Sequence, residues 1–185
     1  MPMLRLPLTI EHALLGFMRQ RPMHGYELHQ QLSDPVGLGL VWRLKQSQLY
    51  ALLGKLEEEG YITATLKPQE TRPTRRVFRL TKSGRDAYLD WVKSPVLHGR
   101  EIRQEFLARL YFARQEGPEV VAQLVERQRE ASQDWLAAQR AHAENVHDAQ
   151  PYEWLVCQFR IGQIEAMLTW LATCEQTPAK TKPIA

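Results

Sequence analysis

Apolar residues recur at helical spacing along most of this chain. Ile10, Ala13, Leu14, Phe17 and Met18 form a first stripe that ends before Pro22. Thr9 reads as its N-cap, with Glu11 in the first turn where an acid favours the helix dipole. A second short helix starts near His24, carries Tyr26, Leu28 and Leu32, and closes at Ser33-Asp34-Pro35; Val36 to Leu40, with two glycines, reads as a link. Leu49, Leu52, Leu53 and Leu56 then fall at i, i+3, i+4 and i+7, which predicts a helix over 45–60 stopped by Gly60. The period changes after that. Residues 61–66, rich in β-branched and aromatic side chains, predict a strand; 67–73 holds two prolines and predicts a loop; 75–80 predicts a second strand.

Leu80 to Gly84 opens another helix, for which either Thr81 or Ser83, the latter in a capping box with Asp86, supplies the cap. Ala87, Tyr88 and Trp91 give it a packing face and Pro95 ends it. From there no strand is predicted. Ile102, Phe106, Leu107, Leu110 and Tyr111 mark a helix stopped at Gly117-Pro118, and Pro118 suits the first turn of a longer one. Val121, Leu124, Gln128, Ala131, Trp135 and Ala138 form a coiled-coil-like seam along it. The last helix opens at Pro151 and is apolar on two sides. Tyr152, Leu155, Val156 and Phe159 cluster on one, and Trp154, Cys157, Ile161, Ile164, Leu168 and Leu171 on another. One copy has too few helices here to cover both stripes, which argues for a homodimer, with Trp154, Ile161, Ile164, Leu168 and Leu171 assigned to the partner.

The expected architecture is mainly α: a winged helix-turn-helix with a two-stranded β wing over 8–94, an all-helical dimerisation domain over 100–175, and a flexible tail over 176–185.

Charge sharpens this picture. The net charge is only +3, yet residues 1–100 carry fifteen Lys/Arg against nine Asp/Glu, while 101–185 carry nine against twelve. Between 67 and 85 seven basic residues meet a single acid, Glu70. The outward face of the helix at 45–60 holds Ser47, Tyr50, Ala51, Gly54 and Lys55 and no acid in its first two turns. A solvated surface helix beside a solvated hairpin is the plain reading. The two side by side point instead to a phosphate backbone.

Other chemistry is sparse. Cys157 and Cys174 lie on one predicted helix, roughly 25 Å apart, beyond disulfide reach; they are expected to be reduced, as in a cytoplasm. No apolar run approaches the ~20 residues that span a bilayer, and the N-terminus has no signal-peptide core. His24 and His29, like His142 and His147, are five apart, which does not make an adjacent i, i+4 ligand pair. No nucleophile motif, phosphate loop or metal set emerges, so neither catalysis nor a cofactor is expected. Trp135, Trp154 and Trp170 read as core or interface anchors, with a ligand role as the alternative.

Four segments together resemble the PadR family of winged-helix transcriptional regulators. They are Ala13-Leu14-Leu15-Gly16 with Pro22-Met23-His24-Gly25-Tyr26-Glu27-Leu28; Gln48-Leu49-Tyr50 through Leu53, Leu56-Glu57 and Gly60-Tyr61-Ile62; Arg76-Val77-Phe78-Arg79-Leu80-Thr81 with Gly84; and Trp91. The helical half resembles the dimerisation domain of larger members. The resemblance implies a cytoplasmic homodimer that represses genes from a roughly palindromic operator on double-stranded DNA, released by a small aromatic or hydrophobic effector. Its recognition helix would use Ser47, Gln48, Tyr50 and Lys55, its wing Lys67, Arg72, Arg75 and Arg76, and its supporting helix Tyr26. Phe78 departs from the usual wing tyrosine. A winged helix that binds protein instead of DNA is the alternative.

Overall fold

The computed structural model describes residues 10–67, 75–147 and 150–177. Thr9, the wing tip and most of the predicted tail lie outside them. The elements run α1 (Ile10–Gln20), β1 (Met23–His24), α2 (Gly25–Leu32), a 3-10 turn (Leu38–Leu40), α3 (Gln46–Glu58), β2 (Ile62–Lys67), β3 (Arg75–Leu80), α4 (Lys82–Lys93), a 3-10 turn (Gly99–Arg103), α5 (Glu105–Glu116), α6 (Pro118–Val146) and α7 (Pro151–Gln176). They form two compact units. The first runs to Val92 and also takes Arg103–Phe112; the second takes Lys93–Ile102 and the chain from Ala113 on.

The first unit is a winged helix. Ala13, Leu14, Leu15 and Phe17 of α1 are fully buried, and α3 turns Leu49, Leu53 and Leu56 inward, with Leu52 only half-buried. The sheet is antiparallel in the order β1-β3-β2, with Ala64 and Met23 flanking Phe78 on either side. Two strands were expected and three are present among the described residues. β1 is two residues long, too short for any periodicity, and its buried Met23 follows Pro22 directly.

The exit of α3 is closed by a Schellman motif. Gly60 has φ +77°, the Tyr61 N–H reaches the Leu56 carbonyl at 2.9 Å, and the Gly60 N–H reaches Glu57 at 3.0 Å. Thr81, not Ser83, then caps α4: its Oγ1 accepts from the Gly84 N–H at 3.1 Å and donates to the Gly60 carbonyl at 2.7 Å. One hydroxyl thus ties the end of α3 to the start of α4.

The head of α5 belongs to this unit, so the boundary expected near 94–99 is not a single cut. Phe106 and Phe112 are fully buried, and the Phe112 ring meets Phe17, Tyr88 and Trp91 at 5.1, 6.0 and 6.0 Å. A buried polar group accompanies them. Glu105 accepts from Trp91 Nε1 at 3.1 Å and from Arg109 at 2.6 Å, which satisfies a carboxylate that could not be buried alone.

In the second unit α6 and α7 lie antiparallel, as the side-chain pairs His142–Glu153, Arg140–Glu165 and Arg129–Glu175 show by their opposed order. The inward face of α6 is Val121, Leu124, Val125, Gln128, Ser132, Ala143 and Val146, so the seam passes through Ser132 while Ala131 and Trp135 are half-buried and Ala138 is exposed. Gln128 sits in that seam because its Oε1 accepts the buried N–H of Val96 at 2.8 Å. α7 answers with Cys157, Ile164, Leu171 and Cys174. Burial pushes the Cys174 thiol up to about 11.

Part of the face assigned to a partner packs within the chain itself. Ile164 and Leu171 are buried within one chain, Trp154 and Ile161 pack on Ala143, Val146 and Cys157 of the same chain, and Leu168 is half-buried. The apolar stripe left open lies on the opposite side of α7, at Tyr152 (81% exposed), Leu155 (57%) and Phe159 (65%). An amphipathic α6 alone covers one of two stripes, and periodicity does not say which.

At Gly84 the backbone of α4 passes so near the turn leading into β2 that an added Cβ would stand 2.0 Å from the Tyr61 carbonyl oxygen. Neither backbone can yield cheaply. Gly84→Ala is expected to destabilise the first unit by about 1–3 kcal/mol or more, read as a lowered midpoint in urea unfolding.

Candidate nucleic-acid interface

The front of α3 is open. Gln46, Ser47, Gln48, Tyr50, Ala51, Gly54 and Lys55 are all exposed, and the acids begin only at Glu57. The helix starts without a Ser, Thr, Asp or Asn cap. Instead Gln48, at the third helical position, turns back so that its Oε1 accepts the Lys45 N–H at 3.0 Å. Gln48 therefore has a capping role besides the recognition role expected of it, and a glutamine three residues past the cap is half the signature of a capping box.

Lys55 is less available than its exposure suggests. Its ammonium donates to Glu11 Oε1 at 2.9 Å, and this hydrogen bond raises its pKa. Glu11 itself is nearly buried at the base of α1. The pair spans 44 residues, so no local pattern could reveal it.

The supporting helix meets this face at its head. The Tyr50 ring, half exposed, lies against Gly25, and Tyr26 beside it is exposed, its phenol oxygen accepting from Gln30 Nε2 at 3.2 Å. Glu27 braces the same turn: its carboxylate accepts the His24 N–H at 2.7 Å and pairs with Arg21 at 3.1 Å. Desolvation alone would raise the Glu27 pKa, but these partners outweigh it and hold the carboxyl below its ordinary value.

The wing is stitched to both helices. His24 Nδ1 stands 3.2 Å from the Arg76 carbonyl oxygen, and the Arg76 guanidinium pairs with Glu57 of α3 while lying 5.2 Å from the Phe78 ring centroid. Phe78 is core, so the phenylalanine at this position faces the interior. Arg79 is exposed. Of Lys67 and Arg75 only the backbones are described, paired with each other in register; Arg72 lies outside the described residues.

The second unit carries an open groove of about 470 Å³ between α6 and α7. Ala143, Trp154 and Ile161 line it with Arg140, Glu144, His147 and Gln158, and His147 stands edge-on to Trp154 at 5.2 Å. Among the described residues no helix is long and apolar enough to cross a membrane, and no cluster of three or more His, Cys, Asp or Glu is placed to hold a metal ion.

Comparison with known proteins adds to this geometry. The sequence model of the transcriptional regulator PadR-like family matches residues 14–90, and that of the virulence activator alpha C-terminal region matches 102–177. The negative transcriptional regulator PadR of Bacillus subtilis is 31% identical over 104 residues, 56% of each chain. A probable transcriptional regulator of Mycobacterium tuberculosis is 27% identical over 89 residues, 48% of this chain and 46% of that one. The chain thus spans about half the length of the curated relatives it matches. Among solved structures, Bacillus subtilis PadR in complex with operator DNA is similar over 90% of this chain and 97% of that one, at 24% identity and TM-score 0.46. A Streptococcus mutans protein is similar over 92% and 100%, at 21% identity and TM-score 0.45. The match over 14–90, which covers α2, α3 and the wing, identifies this part of the chain as a domain of the transcriptional regulator PadR-like family.

Proposed function

We propose that the chain is a cytoplasmic, homodimeric, sequence-specific DNA-binding regulator that represses its genes. The observation that carries this is the exposed, acid-free front of α3 set beside the basic strand β3. Such a helix enters the major groove while the wing contacts backbone phosphate. Ser47, Gln48 and Tyr50 are its base-facing side chains; Tyr26 and the wing cations Lys67, Arg72, Arg75 and Arg76 supply contacts around them. Lys55 is set apart as a brace, because Glu11 already holds it.

The homodimer is supported by Tyr152, Leu155 and Phe159, an apolar face of α7 that its own chain leaves uncovered. Two copies would read half-sites about one helical turn, ~34–36 Å, apart, which calls for a roughly palindromic operator. Release by a small aromatic or hydrophobic effector follows from the family resemblance; the groove at Trp154, with Ala143 and Ile161, is the place in the second unit that suits one.

Three outcomes test the proposal. Tyr50→Ala or Gln48→Ala is expected to cost about 1–3 kcal/mol on a cognate duplex and little on random DNA; equal losses in a binding titration would mean that these side chains do not read bases. Arg76→Ala is expected to weaken both duplexes and to lower the slope of log K against log salt by about one for each phosphate no longer neutralised. An unchanged slope would remove Arg76 from the phosphate contacts. Phe159→Glu places a charge on the open stripe of α7 without disturbing the core, so the variant is expected to sediment as a folded monomer and to bind the operator far more weakly, having lost bivalent engagement. A variant that stays dimeric would move the interface elsewhere.

A further inference from the structure

Gly25 is not a glycine for backbone reasons. It opens α2, and the described glycines with positive φ are Gly60 and Gly117. Within a helix glycine is the poorer former than alanine, since it gives up more chain entropy and packs nothing. Space accounts for it. A Cβ at Gly25 would stand 2.7 Å from Cε1, 2.9 Å from Oη and 3.0 Å from Cζ of Tyr50, closer than non-bonded carbon and oxygen atoms approach. The phenol edge of Tyr50 occupies the volume that any other residue at 25 would claim.

Tyr50 is 47% exposed and sits in the second turn of α3. One edge of its ring is therefore backed by the head of α2, and the rest is open on the front of the helix. A tyrosine with only two side-chain torsions gains its value at an interface by being rigid before contact. Backing the ring with a residue that has no side chain fixes its depth without adding a competing group.

We infer that Gly25 is a positioning residue for Tyr50: it seats the phenol in one orientation on the front of α3, and this seating sets how well the protein discriminates its cognate duplex from other DNA. This rests on the DNA-binding function proposed for the chain. A methyl at 25 acts on the far end of a flexible side chain, so it swings the ring outward and leaves the helix backbones in place. The consequence falls on Tyr50, not on the fold.

Two measurements separate the seating from its consequence. In protein labelled with 3-fluorotyrosine, the fluorine resonance missing from Tyr50→Phe belongs to Tyr50. Gly25→Ala is expected to move that resonance more than those of the other five tyrosines; an unmoved resonance overturns the seating. The second is a binding cycle of the parent, Gly25→Ala, Tyr50→Ala and the double variant. The probes are a duplex recovered by repeated capture from fragmented genomic DNA and a scrambled duplex of equal length. Gly25→Ala is expected to weaken the captured duplex about five- to tenfold and the scrambled one less than about twofold, and to have no effect once Tyr50 is alanine. Equal loss on both duplexes, or the same loss with and without the ring, overturns the inference. Should Gly25→Ala fail to fold, the double variant is expected to fold and to match Tyr50→Ala; its failure as well would place the need for glycine elsewhere. A parent that prefers no duplex would defeat the DNA-binding function and with it the discrimination, while the fluorine resonance would still decide the seating.

Discussion

A helix can offer one face to a partner only while its opposite face is held, and in the first unit that hold is the burial of Leu49, Leu53 and Leu56. Each fully buried leucine contributes about 1.5–3 kcal/mol as an upper estimate, and the three define the roll of α3 about its axis. The remaining contacts refine what the leucines set. Gln48 closes the entry, the Schellman turn at Gly60 closes the exit, and the Thr81 hydroxyl fastens that exit to α4. Every group on the front of α3 inherits its direction from this arrangement.

The cations around that front are not equivalent, although they look alike by formal charge. Arg76 is paired with Glu57 at a half-exposed surface, where an ion pair stabilises by only about 0–1 kcal/mol. A phosphate can take the place of Glu57 at small cost. Lys55 is different: its partner Glu11 has a side chain only 9% exposed. Drawing Lys55 away would take a cation from a nearly buried carboxylate, a larger loss than breaking a half-exposed pair. One cation is exchangeable and the other is part of the frame.

What could be read along the chain followed from locality. The leucine period of α3, the glycine that stops it and the change to a β pattern after Gly60 are signals carried by neighbouring residues, and they placed the helix-turn-helix and the wing. β1 escaped because two residues hold no period, and the place of α5 escaped because nothing near Phe112 announces that Phe17, Tyr88 and Trp91 will surround it. The choice between the stripes of α7 needed the actual path of α6. For the same reason the pairings of Glu11, Glu57 and Gly25 were not legible: their partners lie 44, 19 and 25 positions away.

The two thiols of α7 face inward, and this has a chemical consequence. A thiol held at a pKa of about 11 is thiolate in only about one molecule in ten thousand at neutral pH, and thiolate is the form that attacks peroxides and disulfides. Cys157 is fully enclosed by the same packing. Enclosure of both sulfurs along α7 thus makes them slow to form sulfenic acid, so their oxidation depends on how often the helices part as well as on the oxidant outside.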